Sequence, residues 1–477
     1  MELDLNKPHC RYFYEMLQIP HGSFNEQAIS DWVVVFAIEH QLQYLQDDMG
    51  NVVVYKPASF GYERKSPILL QAHLDMVCEK LDSVEFDFMK DPIQIEVKEG
   101  WLHAKGTTLG ADDGTGVSYM LAILADSKLP HPALECVFTV QEETGLTGAM
   151  HLKAEYFQAR RMINLDCGAD GTTMISTAGG LAMDLNRNYT LEKGNLPFFK
   201  LVVNGLQGGH SGGNINKERA NANKLVARIL YHFQQVGYPI QLMSVQGGNK
   251  DNAIPRECKT IFAVSATLNE LEVALREMEK AIQAEYEISD PDIVLSLTEY
   301  SMQDQVLSIV DSKQFLQMMM ALPTGLQAMS LQMEDLPMAS MNLASVQLQK
   351  GACCIKYSLR SALESWLDQM KNQIECIAIA FGAEVFTSNR YPAWAYQPQS
   401  KLRELFKKVY FEKTQEELKL AASHGGTECG IFSQMFKEMD IVTCAPLAKG
   451  AHTPQECLNL EAFDKTFLIL KALLEAA

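Results

Sequence analysis

Two adjacent carboxylates, Glu142 and Glu143, directly follow an apolar, strand-like run, Val137-Phe138-Thr139-Val140. Successive side chains on a strand face opposite ways, so the two glutamates cannot share one task. Other apolar runs end in comparable groups. "LLQAHLDMV" closes with His73 and Asp75, two residues apart and therefore on the same side; "INLDCG" carries Asp166 and "KGAHTPQE" carries His452. "GTTLGADDGTG" sets Asp112 and Asp113 in a glycine-rich turn that opens a helix. Taken singly, each has an ordinary structural use: a satisfied strand-end histidine, a turn or helix cap, a solvated strand end. Taken together, they put metal-capable groups at four strand ends of one sheet. Burying so many carboxylates without cations would force protonation. His73, His452 and three of the carboxylates make a mixed nitrogen and oxygen ligand set, which suits zinc or manganese better than copper or an iron–sulfur cluster. Five ligands exceed one tetrahedral zinc and suit two ions, about 3.5–4 Å apart, sharing a bridging carboxylate. Such a pair holds a water as hydroxide near neutral pH and polarises a carbonyl, which is the chemistry of amide or ester hydrolysis.

These groups need a scaffold that gathers strand ends. Near-continuous apolar strands at "NVVVYKPA", "SPILLQAHLDMV", "LECVFTVQEE" and "RRMINLDCG" alternate with helical patterns, including Ile29, Trp32, Val33, Phe36 and Ala37 in one and Met120, Leu121, Ile123 and Leu124 in another. That alternation predicts an α/β layer around a largely buried sheet, whose ligand crevice lies at the carboxyl ends of its strands. From about residue 185 the pattern changes to strand–helix–strand units: "FFKLVVNG", a helix from about Lys217, and "CKTIFAVSAT". A similar order recurs in "SMNLASVQLQ", "ACCIKYSLRS" and the helix "ALESWLDQMKNQIECIAIAF", which reads as an internal duplication. After about residue 391 the first style returns and ends in the amphipathic "LEAFDKTFLILKALLEAA". The expected organisation is one discontinuous α/β domain, residues 1–184 and 392–477, with an α+β domain inserted at 185–391.

Composition narrows the partners. A chain of 477 residues exceeds one ordinary core, and a formal charge of −18 argues against nucleic acid and anionic membrane surfaces. Eleven cysteines with no CxxC pair fit a reducing, cytoplasmic setting, and neither a signal peptide nor an apolar run long enough to span a membrane is expected.

The motifs "HLDMV", "GTTLGADDGTG", "EETG", "INLDCG", "GGHSGG", "NAIPRE" and "AHTPQE" occur in an order that resembles the di-zinc M20 metallopeptidases, closest to their aminoacyl-histidine dipeptidase (carnosinase-like) branch. The resemblance implies an α/β zinc-peptidase catalytic domain with an inserted α+β lid. It implies two Zn²⁺ per chain, with Co²⁺ or Mn²⁺ as possible substitutes. Asp112 would bridge, His73 and either Asp166 or Glu143 would lie on separate ions, and His452 would complete the second. Asp75 would orient His73. Glu142 would be the general base, which leaves Glu143 as the ligand. A cis peptide is expected after Asp112, and Asp113, where relatives often carry Asn, should not disturb it. In the lid, His210 would stabilise an oxyanion, from its own chain or a partner's, while Asn252 and Arg360 would hold the substrate carboxylate. Gly426 would make a backbone contact to substrate, and His424 is read as structural. Cys167 stands where relatives commonly carry serine, either as an oxidation-sensitive neighbour of the ions or as a merely buried thiol. The implied activity is hydrolysis of Xaa-His dipeptides, β-Ala-His included, by a cytoplasmic homodimer joined through the lid. An amidohydrolase of N-acyl amino acids would keep the same ligands, and an inactive binding protein on this scaffold would have lost the base or a ligand.

Overall fold

The computed structural model describes residues 3–302 and 304–477. The chain forms two compact units: Met1–Thr177 with Trp394–Ala422 and Thr427–Ala477, and Ala178–Ala393 with Ser423–Gly426. The changes of style read from sequence at 184/185 and 391/392 lie a few residues from these boundaries. The first difference has a simple cause, because Gly179–Asn188 is one continuous strand of the second unit.

In the first unit a six-stranded sheet contains β1 (Gln43–Gln46), β2 (Val52–Lys56), β3 (Ile68–His73), β4 (Leu134–Thr139) and β5 (Arg161–Asn164). Its order is β1-β2-β4-β3-β5, closed at the far edge by Asp440–Thr443 from the last segment. β3 is parallel to β4 and β5, whereas β2 runs antiparallel to β4. Every residue of β3 and β4 is buried, as expected of strands covered on both faces. The helix α3 (Ala111–Ala125), reached after α1 (Pro8–Met16) and α2 (Gln27–Glu39), lies on the crossover between β3 and β4 and packs on β3 and α1. α3 is buried nearly all round, so its sequence shows little amphipathic contrast. The tail helix Leu460–Ala476 packs its apolar residues into the same core. Parallel β3, β4 and β5 all end at one edge, which is the device that gathers His73, the Glu142 turn and Asp166.

The second unit is built on a nine-stranded antiparallel sheet. Its main path uses β6 (Gly179–Asn188), β7 (Phe198–Asn204), β8 (Gln241–Gly247), β9 (Cys258–Ala263), β10 (Val294–Tyr300), β11 (Pro337–Gln349), β12 (Ala352–Ser361) and β13 (Glu384–Tyr391), in the order β10-β7-β9-β8-β11-β12-β6-β13; Gly325–Met329 pairs with β11 off this path. Four helices cover it: α4 (Ala222–Gln235), α5 (Leu268–Glu285), α6 (Ile309–Ala321) and α7 (Glu364–Ala380). The chain order β7-α4-β8-β9-α5-β10 is a βαββαβ unit, and β6-α6-β11-β12-α7-β13 is another of the same connectivity. The two meet where the second strand of each pairs, β8 with β11. The recurrence expected from sequence is therefore present in topology, but the second copy begins at β6. The helix expected from Lys217 starts at Ala222: Lys217 ends a short 3₁₀ turn, and the Asn221 side chain caps α4 by accepting from the N–H groups of Asn223 and Lys224. Among the described residues no helix is long and apolar enough to cross a membrane.

Candidate metal centre

β3 ends on His73, whose ring lies 1% exposed. Its Nδ1 donates to the Asp75 carbonyl oxygen at 2.9 Å, which fixes the tautomer and leaves the Nε2 lone pair facing outward. That Nε2 stands 3.1 Å from Asp112 Oδ1 and 3.8 Å from Asp166 Oδ1. On the other side, His452 Nε2 lies 3.2 Å from Asp112 Oδ2 and 2.9 Å from Glu143 Oε1, the latter a buried oxygen without a hydrogen bond. The two oxygens of Asp112 thus face the two imidazoles separately, the disposition of a bridging carboxylate. The metal-capable atoms fall into three overlapping sets: His73, Asp112 and Asp166; Asp112, Glu143 and His452; and His73, Glu142 and Glu143. The two sets that share Asp112 place Asp166 with His73 and Glu143 with His452. Glu142 lies outside the two sets that share Asp112 and belongs only to the third, with His73 and Glu143.

The local backbone explains the placement. Asp112 follows Gly110, which caps α3 at φ 74°, and the Asp112–Asp113 peptide is cis as expected. Leu109, Gly110, Ala111 and Asp112 all donate their N–H groups to the buried carboxylate of Glu456, at 2.7, 3.0, 2.8 and 3.3 Å. The glutamate turn is clamped from below. Asp75 accepts the N–H groups of Glu142 at 2.9 Å and Glu143 at 3.2 Å and the hydroxyl of Ser23 at 2.8 Å. Glu26 takes the N–H of Gln141, a residue held at φ 54°. Asp75 serves both His73 and the glutamate turn. Its carbonyl accepts from His73 Nδ1, and its carboxylate lies 3.6 Å from the same nitrogen while also accepting from the glutamate turn.

Electrostatics test whether these residues suit a cation. Burial opposes a charge on His73, yet Asp112, Asp75 and the field of Glu142 and Asp166 hold its pKa well above the usual imidazole value. Contacts with Asp112 and Glu143 push His452 up to about 11. Burial, with Asp112 beside it, pushes Asp166 up to about 7, and burial likewise raises Glu142, Asp113 and Glu428. Asp112, between the two imidazoles, is held well below the usual carboxylate range, while the carboxylates around it are driven towards protonation. The cluster carries more acid than its two imidazoles can balance. Divalent cations fit this donor set. The Cys167 thiol donates to Asp166 Oδ2 at 3.4 Å, and burial raises its pKa, so it is a protonated neighbour of the ligand.

The remaining expected residues lie in the second unit, where they come together. His210 Nδ1 accepts the N–H groups of Gly212 and Gly213 at 3.1 Å each, so neutral His210 carries its proton on Nε2 as a donor. Its neighbour Ser211 gives its N–H to the Asn252 carbonyl at 2.8 Å and accepts from Arg360 Nε at 3.4 Å. Arg360 Nη1 also donates to Tyr391 Oη at 3.1 Å and to the His424 carbonyl at 3.4 Å. Gly426 packs against Tyr391 so closely that a Cβ would come within 2.3 Å of the ring, which is why no side chain fits there. His424, buried, meets Ser340 Oγ at 2.7 Å through Nε2, and burial, with Arg360 nearby, pushes it down to about 3.

That depressed value has a consequence for stability. His424 is neutral in the fold and protonates in the unfolded chain below about 6.5, so its contribution is present above pH 6.5 and is lost as pH falls towards 3. Between pH 7 and 5 the loss is about 2 kcal/mol. We expect urea midpoints of the wild type to fall more over that interval than those of His424→Asn. Equal slopes would show that His424 is not held neutral.

Sequence reasoning assigned nothing to Ser23, Glu26, Gln71, Glu428 or Glu456. The signals were a polar residue inside the apolar strand "ILLQAH", a lone acid in "GGTECG" and the last residue of "AHTPQE".

Comparison with known proteins agrees with the geometry. The family model described as Peptidase family M20/M25/M40 matches residues 69–476. The cytosol non-specific dipeptidase of Escherichia coli is 32% identical over 475 residues, covering 98% of this chain and 97% of the relative. The crystal structure of aminoacylhistidine dipeptidase from Vibrio alginolyticus superposes with a TM-score of 0.90 at 32% identity, over 98% of this chain and 96% of that one. A tripeptidase from Staphylococcus aureus shares the fold at 16% identity, with a TM-score of 0.57 over 99% of both chains. With paired carboxylate and imidazole sets at the strand ends and a family match running through nearly the whole chain, this protein belongs to peptidase family M20/M25/M40 and is a hydrolase of peptide bonds.

Proposed function

We propose that the protein is a cytoplasmic dipeptidase that cleaves unblocked dipeptides, Xaa-His substrates and β-Ala-His among them, at a centre holding two zinc ions. The observation that carries the reading is the disposition of Asp112, one oxygen towards each imidazole, with Asp166 and Glu143 completing the two sets. The relatives named a non-specific dipeptidase and an aminoacylhistidine dipeptidase support a dipeptide substrate.

Zinc ions bound to these sets would supply Lewis acidity to the scissile carbonyl and an acidified water. The chain does the rest. Glu142, outside the two sets that share Asp112, takes the proton from the attacking water and delivers it to the leaving amine. Asp75 holds Glu142 and Glu143 by their N–H groups, so base and ligand keep their different directions. His210, as an Nε2 donor, stabilises the oxyanion, from its own chain or a second copy's. Arg360 and Asn252 bind the substrate carboxylate, and the Gly426 backbone adds a contact. Edge strands β10 and β13 offer backbone to a second copy, which supports pairing through this unit.

A panel of dipeptides, assayed with and without chelator and then with zinc, cobalt or manganese restored, tests the reading. Ala-His and β-Ala-His should be cleaved, activity should vanish on chelation and metal should restore it. Absence of dipeptide cleavage with metal bound would overturn it.

A further inference from the structure

One layer beneath the ligands, the same three parallel strands are joined by a buried polar relay that the chemistry above does not use. Glu428 is fully buried; its Oε2 accepts from Gln71 Nε2 and, at 2.7 Å, from Thr139 Oγ1, while its Oε1 has no partner. Gln71 Oε1 accepts in turn from Asn164 Nδ2, and Asn164 Oδ1 accepts the N–H of Cys167 at 3.1 Å. Gln71 precedes His73 by two residues on β3, Asn164 precedes Asp166 by two on β5, and Thr139 ends β4 before the glutamate turn. Gln71 and Asn164 are register partners in the sheet.

An amide side chain has one donor end and one acceptor end, so each link fixes the direction of the next. Because Glu428 accepts, Gln71 must offer it the NH₂ and turn its carbonyl to Asn164. Asn164 must then offer its NH₂ to Gln71 and its carbonyl to the Cys167 N–H. The last link pins the turn that carries Asp166. Oε2 can accept whether or not a proton sits on the unpartnered Oε1, so the direction does not depend on ionisation. Remove the acceptor and Gln71 Nε2 keeps only a long 3.4 Å contact with the Thr139 hydroxyl, which can equally donate to a carbonyl oxygen. Gln71 can then flip, present an NH₂ to Asn164 and break the contact with Cys167.

We propose that Glu428 is a positioning residue, setting the direction of the Gln71–Asn164 relay and so holding the Asp166 turn in the shape that binds metal. The inference rests on the metal-centre reading. Zinc titration of the metal-free full-length protein tests it without reference to turnover. The wild type should take up two Zn²⁺. Glu428→Leu should bind one of them about 10–100-fold more weakly. Gln71→Leu should reproduce that loss with Glu428 intact, and it decides the matter should Glu428→Leu fail to fold. Glu428→Gln, whose amide carbonyl can still accept, should retain near-wild-type affinity. Wild-type affinity for both ions in Glu428→Leu or Gln71→Leu overturns the inference alone, as does a loss in Glu428→Gln equal to that in Glu428→Leu. A wild type that binds no divalent metal overturns the metal centre and the inference together.

Discussion

Glu142→Ala should lose about 10²–10⁴-fold in kcat while still binding two metal ions, because positioned proton transfer contributes about that much. Three observations argue for this outcome. Glu142 lies outside both ligand sets that share Asp112. Its neighbour Glu143 supplies the oxygen that faces His452 at 2.9 Å. The backbone N–H groups of both residues are held by one carboxylate, Asp75, so truncating Glu142 leaves the direction of Glu143 unchanged. Burial raises the pKa of Glu142 well above the usual carboxylate range, and neighbouring cations would bring it back towards a value at which it can accept a proton. Metal analysis beside a turnover assay separates base from ligand. Glu143→Ala should empty or weaken the His452 set. If Glu142→Ala loses metal and Glu143→Ala keeps it, the two roles are exchanged.

The adjacency of the glutamates is informative in sequence because strand geometry forbids identical roles. Of the four metal-capable strand ends expected in one sheet, three belong to it, and His452 arrives after a strand of a separate four-stranded sheet. His73, Asp166, Glu143 and His452 stand out as metal-capable residues after strand-like runs and Asp112 as one in a glycine-rich turn, and the structure brings all five together. Their pairing was not legible. Which carboxylate shares an ion with which imidazole depends on strand order, and the order β4-β3-β5 with a return segment carrying His452 is set by contacts distant in sequence. The same limit explains Asp75. Its spacing from His73 places the carboxylate 3.6 Å from Nδ1, but its second task at the glutamate turn depends on contacts with residues 67 and 68 positions away. In the second unit each βαββαβ copy could be glimpsed as strand–helix–strand order. The second copy starts at β6, far from the rest of it in sequence, so local pattern alone mistook where the repeat begins.

The residue least visible in sequence should have one of the largest effects. Glu456 lies four positions after His452 and looks like a surface acid, yet it is 3% exposed and accepts four consecutive backbone N–H groups from Leu109 to Asp112. Those donors have left-handed Gly110 and the opening of α3 among them, where no helical carbonyl is available to satisfy the N–H groups. Glu456→Gln replaces one acceptor oxygen by an NH₂ that must face two of those N–H groups. Leaving such buried donors unsatisfied costs about 1–3 kcal/mol each, so the variant should lose about 2–6 kcal/mol of stability. The displacement falls on Asp112, whose two oxygens serve both ligand sets, so affinity for both metal ions should drop together. This differs from the loss expected at Glu428, which is confined to one ion. Denaturant unfolding of the metal-free protein measures the first effect, and zinc titration measures the second. Two ions bound with wild-type affinity in Glu456→Gln would show that the loop keeps its shape without the carboxylate. Loss of only one ion would show that Asp112 does not bridge.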